Sequence, residues 1–74
     1  MEASELKTAL LNGQAVIYRA PGSGDTELEY KRVSAVIYRA DSMGGIRVTV
    51  EIEDRNGRSV VIADPARIRY KDDI

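Results

Sequence analysis

The chain contains no cysteine, no histidine, no phenylalanine and no tryptophan, and each absence closes off a class of structure or chemistry. Without cysteine there is no disulfide and no thiol nucleophile. Without cysteine and histidine there is no ordinary zinc or iron site and no catalytic triad. No apolar run of about 18 residues is present, so a membrane-spanning helix is not supported. No secretory signal pattern opens the sequence, and a cytoplasmic location is expected. Eleven basic residues oppose twelve acidic ones, and the net charge of -1 gives no overall attraction to a nucleic-acid backbone. At 74 residues the chain reads as a single domain that buries only about 60% of its unfolded surface, with neither disulfide nor metal to staple it. Its core must come from Val, Ile, Leu and four Tyr. Association into a homo-oligomer is a natural way to enlarge such a core.

What the sequence does contain is a repeat. Ala-Val-Ile-Tyr-Arg-Ala occurs at Ala15 to Ala20 and again at Ala35 to Ala40, each followed by a glycine-bearing loop and a second apolar run. This predicts two β-hairpins, Gln14 to Val33 and Ser34 to Glu53, with loops at Pro21 to Asp25 and Asp41 to Gly45. A helix is predicted over Ala3 to Asn12, with Ser4 near its start, a stripe of Leu6, Leu10 and Leu11, and Gly13 as its left-handed cap. A third turn, Asp54 to Gly57, leads to a strand from Arg58 to Ala63. Asp64-Pro65 ends that strand, and Arg67 to Tyr70 reads as a short last strand or one helical turn. The fold class is mainly β (α+β): an N-terminal helix over residues 1–13, then a four- to five-stranded antiparallel meander forming a curved sheet or a small SH3-like barrel, with residues 54–74 as last strand and tail.

Period-two alternation assigns the faces. Symmetric five-residue loops place Val16 opposite Tyr30, Tyr18 opposite Leu28, Val36 opposite Val50 and Tyr38 opposite Val48. A three-residue third loop with a left-handed bulge puts Ile52 opposite Val60 and Val50 opposite Ile62. Even-numbered apolar residues then share one face. The odd face is charged but carries an apolar row of Ile17, Val33, Ile37 and Val61, the expected oligomer interface, because one short helix cannot cover both faces. A bulge near Lys31-Arg32-Val33 would turn Val33, Ala35 and Ile37 inward instead.

Among polar residues the strongest feature is Arg39 opposite Arg47, since facing like charges are unfavourable unless an anion or acidic group bridges them. Arg19, by contrast, faces Glu27. The expected binding residues are therefore Arg39 and Arg47, extended along a basic edge by Arg32, Arg55 and Arg58. Tyr18 and Tyr38 are read as packing residues rather than stacking platforms. Glu51, Glu53 and Asp54 lie close enough in sequence to hold a hard cation, but read as a solvated strand face running into a turn. Asp54-Arg55-Asn56-Gly57 lacks the alternating oxygen ligands of a calcium loop. No catalytic residue, cofactor or metal site is assigned, and the chain is read as not an enzyme.

The segment from Tyr30 to Ile68, with Tyr-Lys-Arg-Val-Ser-Ala-Val-Ile-Tyr-Arg, Val-Glu-Ile-Glu-Asp-Arg-Asn-Gly-Arg-Ser-Val and Ile-Ala-Asp-Pro, resembles small uncharacterised proteins of bacterial prophages and mobile elements. It spans about half the chain. The resemblance implies an oligomeric binder, in the host cytoplasm if phage-encoded, with a host protein among the candidate partners; the class includes inhibitors of host defence such as anti-CRISPR proteins, and the resemblance does not identify the target. A single-stranded nucleic-acid binder using Tyr and Arg is the second reading, disfavoured by the near-neutral charge. A divalent-cation-dependent hydrolase resting on Glu51, Glu53 and Asp54 is the third.

Overall fold

The structure, a computed structural model, describes residues 1–22, 24 and 26–71. Ser23 and Asp25 of the expected first loop, and residues 72–74 of the tail, lie outside the described residues. One helix, α1 (Ala3–Asn12), precedes six strands: β1 (Val16–Arg19), β2 (Glu27–Tyr30), β3 (Arg32–Ala40), β4 (Ile46–Glu53), β5 (Val60–Ala63) and β6 (Ile68–Tyr70). A 3-10 turn, Pro65–Arg67, joins β5 to β6, so the segment from Arg67 to Tyr70 supplies both a helical turn and a strand.

The helix begins where Glu2 N–H donates to the Glu5 carboxylate at 3.0 Å, so the capping pair is Glu2 and Glu5 rather than Ser4. It ends at Gly13, whose φ of 66° lets its N–H reach the Ala9 carbonyl at 3.2 Å. The helix packs on β3 and buries Leu6 and Ala9, three residues apart. Leu11 stays 77% exposed, and the expected leucine stripe is thus replaced by a narrower face. The Met1 ammonium donates to the carbonyls of Pro65 at 2.7 Å and Ile68 at 3.1 Å, tying the start of the helix to the 3-10 turn.

The strands form two antiparallel sheets rather than one meander. Sheet A has the order β2-β1-β6 and sheet B the order β3-β4-β5. Among the described residues β5 pairs only with β4 and β6 only with β1, and no closed barrel forms. The first two hairpins have the expected register, with Val16 opposite Tyr30, Tyr18 opposite Leu28, Val36 opposite Val50 and Tyr38 opposite Val48.

Two local irregularities redistribute the faces. The pairing of β3 with β4 slips between Val33 and Ala35, so Ser34 is an extra residue and Val33 stands opposite Ile52. The bulge lies just beyond the expected place, and it turns Val33 inward while leaving Val36 opposite Val50. The second irregularity is the loop after β4. The Asp54 carboxylate accepts the N–H groups of Asn56 at 3.0 Å and Arg58 at 2.9 Å and the Ser59 hydroxyl at 2.7 Å. Gly57, at φ 68°, makes the return, and the Asp54 N–H closes on the Ser59 carbonyl at 3.0 Å. The loop is therefore Arg55 to Arg58, one residue longer than expected. Every pair on β5 moves by one: Ile52 faces Val61 and Val50 faces Ala63, not Val60 and Ile62.

The core that results is Leu6, Ala9, Val16, Tyr18, Val33, Val50, Ile52, Ala63 and Ile68, with Tyr30, Val36, Val48 and Val61 packed around it. Tyr18 and Tyr30 meet edge to face, their ring centroids 6.0 Å apart. The odd-numbered apolar row expected as an oligomer interface does not exist as one surface. Val33 is fully buried and Val61 packs on the core, while Ile17, between Glu29 and Arg69, and Ile37, opposite Thr49, lie half-buried on different sheets.

Candidate functional site

Strand length decides which parts of sheet B are covered. β3 has nine residues and β4 eight, whereas β5 has four and pairs only with Val50 to Glu53. The strands of sheet A have four, four and three residues. The end of the β3–β4 hairpin, Tyr38 to Ala40 with Ile46 to Val48, therefore runs beyond its neighbours as a two-stranded arm.

Register fixes the two faces of this arm. Tyr38, Ala40, Ile46 and Val48 continue the inward face of Val36 and Val50, but only Val48 still packs on the core, and Tyr38, Ala40 and Ile46 beyond it are exposed. Tyr38 is 67% exposed and Ile46 is 73% exposed, and Met43 in the loop stands 91% clear. The loop is held by Asp41, whose carboxylate accepts the N–H groups of Met43 at 2.8 Å and Gly45 at 2.9 Å. Met43 is thus presented on an ordered turn.

On the opposite face Arg39 and Arg47 stand directly across from one another. Among the described residues neither guanidinium forms a hydrogen bond or ion pair. The acidic neighbours that could have bridged them are engaged elsewhere. Glu51 accepts the Ser34 hydroxyl at 2.8 Å, and Glu53 pairs with Arg32 at 2.8 Å.

The expected basic edge is not continuous. Arg39 and Arg47 lie at one end of the hairpin and Arg32, opposite Glu53, at the other, seven residues along β3 from Arg39 or about 23 Å away. Arg55 reaches Glu29 at 4.0 Å, and Arg58 contributes its backbone N–H to the Asp54 loop. Arg32 and Arg55 are surface ion-pair partners, with pair contributions of about 0–1 kcal/mol.

The carboxylates of the hydrolase reading are also accounted for. Glu51 and Glu53 have the partners just given, and Asp54 is the cap of its own loop. Its pKa is lowered, first by the Ser59 hydroxyl and then by the Arg58 N–H. Among the described residues no three His, Cys, Asp or Glu side chains gather as metal ligands, and no helix is long and apolar enough to cross a membrane.

Sequence reasoning missed Tyr38, Met43 and Ile46 as surface residues. The available signal was the length of the 34–53 hairpin, longer than the strand after Asp54 could flank. It also missed a cleft of about 440 Å³ at the end of β5, lined by Tyr18, Pro21, Val48, Ile62 and Ala63 together with Arg47, Thr49, Asp64 and Arg67. Compared with known proteins, the chain matches no family model, no curated protein and no solved structure.

Proposed function

We propose that the chain is a non-enzymatic interaction protein that self-associates through the apolar face of the β3–β4 arm and offers Arg39 and Arg47, on the other face, to an acidic partner. The observation that carries this reading is the uncovered arm, with Tyr38, Met43 and Ile46 exposed together. Large apolar side chains clustered at a projecting end mark an association surface. Two unpaired guanidinium groups directly behind it favour a partner of opposite charge. The sequence resemblance adds the setting, a phage or mobile-element protein acting on a host component in the cytoplasm, with inhibition of host defence as one role of that class.

Light scattering coupled to size exclusion tests the self-association. A mass of at least twice 8.2 kDa is expected for the wild type and 8.2 kDa for Ile46→Asp, with the thermal unfolding of the variant otherwise unchanged. A wild-type mass of 8.2 kDa at micromolar concentration would reject it.

The exposed Tyr38 ring also favours a second reading, stacking on single-stranded nucleic acid with Arg39 and Arg47 holding phosphates. Register weighs against it, because Tyr38 and the two arginines point to opposite faces of the arm. Binding of a labelled oligonucleotide at low and moderate salt, compared with an Arg39→Ala, Arg47→Ala double variant, separates the two. Salt-sensitive binding lost in the double variant would favour nucleic acid.

A further inference from the structure

Among the described residues, charged side chains gather in three clefts, which differ in whether their arginines meet a carboxylate. In the cleft beside β6, Arg19 and Arg69 share Glu27 at 3.9 and 3.1 Å. In the cleft between β2 and the loop after β4, Arg55 meets Glu29. The cleft at the end of β5 differs. Among the described residues Arg47 has no partner and Arg67 donates only to the Arg19 carbonyl at a long 3.4 Å, so neither guanidinium meets a carboxylate there. Asp64 is the one acidic wall residue, and one of its oxygens already accepts the Ala66 N–H at 2.9 Å. Of the lining residues, Thr49 has a hydroxyl that is buried without a partner among the described residues. Buried polar atoms are rarely left unmet in a finished structure, so an unmet one in a cleft with two arginines that lack a carboxylate marks a place where the polar complement comes from outside.

We propose that this cleft binds the carboxylate of an acidic side chain on a peptide segment, held by Arg47 and Arg67, with neighbouring apolar side chains lying against Pro21, Val48 and Ile62. The charge arithmetic selects the ligand. Two arginines and one aspartate leave a single positive charge in excess, which one carboxylate neutralises and a phosphate dianion overshoots. The guanidinium fork matches a carboxylate in two parallel hydrogen bonds. The apolar walls and the volume of about 440 Å³ leave room for more than the anion itself, as a peptide requires and a bare ion does not. The proposal rests on the reading of the chain as an interaction protein and names the chemistry of the partner's anchor. Its test uses neither the oligomeric state nor the Tyr38 face, so either can fail alone.

The probes are the capped tripeptide Ac-Leu-Glu-Leu-NH2, its Gln counterpart and inorganic phosphate, each titrated into the ¹⁵N-labelled protein and followed by amide chemical shifts. The Glu peptide is expected to shift the amides of Arg47, Thr49, Ala63 and Arg67 saturably, with the Gln peptide weaker by about tenfold, the loss typical of a charge-assisted hydrogen bond. Arg67→Gln should weaken the Glu peptide by a similar factor, while Arg58→Gln, at the far end of sheet B, should leave it unchanged. If Arg67→Gln fails to fold, Arg47→Gln, on the projecting arm, takes its place with the same expectation. Equal binding of the Glu and Gln peptides, tighter binding of phosphate, or retained affinity in the folded arginine variant would overturn the assignment.

Discussion

Tyr18 and Tyr38 occupy the same position in two identical hexapeptides, yet Tyr18 is 7% exposed and Tyr38 67% exposed. The difference is not local, because each ring is on the inward-directed side of its own hairpin and each stands in its expected register. It arises from what lies opposite. Tyr18 sits in the middle strand of sheet A, flanked by β2 and β6 and in edge contact with Tyr30, whereas Tyr38 sits where sheet B has outrun β5.

Substitution of the two tyrosines should therefore have unequal effects. Tyr18→Ala empties a core site and is expected to cost about 3–5 kcal/mol, enough to unfold much of a small domain. Tyr38→Ala is expected to stay within about 0.5 kcal/mol. Urea denaturation of both variants under conditions that hold the chain monomeric checks this, and similar midpoints would contradict the arrangement of the arm.

Asp54 should make stability fall in acid. Its carboxyl is held below its ordinary value of 3.8 by the hydrogen bonds of the loop, so the folded state favours the ionised form. The contribution is then fully present above the unfolded value and disappears as pH falls through the folded one. The stability difference between wild type and Asp54→Ala is expected to be constant from neutral pH down to about 5 and to shrink below about 4. A difference that persists unchanged at pH 2 would show that the carboxylate charge is not what holds the loop.

Thr49→Val tests the unmet hydroxyl. Since its oxygen has no partner among the described residues, the nearly isosteric replacement removes a desolvation cost and breaks no hydrogen bond. The melting temperature of the variant should equal or exceed that of the wild type. A clear drop would reveal a hydrogen bond made in solution.

The legible parts of the fold were those encoded within a few residues. Ala3–Asn12 and Ile46–Glu53 follow directly from their caps, turns and periodicity, and the pairing of Arg39 with Arg47 follows from counting about a loop. The illegible parts each depended on a competition that counting does not contain. At Asp54 the carboxylate gathers two backbone amides and a hydroxyl, and that capture outweighs the shorter bulged turn, adding one residue and exchanging Val60 and Ile62 for Val61 and Ala63 on the inner face. At Ser34 the chain bulges, and its hydroxyl bonds the Glu51 side chain. The extent of the arm depends on the relative lengths of six strands, a tertiary property. As candidate-site residues, Arg39 and Arg47 were accessible from sequence. Thr49 and Arg67, which line the cleft with Arg47 from β4 and the 3-10 turn, were not.

The loops at the two ends of β4 are closed by the same device, an aspartate holding backbone amides two and four residues ahead, with glycine three residues on. Such contacts form without waiting for distant parts of the chain, and hairpins close in about 1–10 μs. The pairing of β1 with β6 is the opposite case, since it joins Val16 to Tyr70 and closes the longest loop in either sheet. The expected order of folding is therefore the β3–β4–β5 unit early and sheet A last. Mutations of the Asp54 cap should then slow folding, whereas truncation of Ile68 should mainly hasten unfolding.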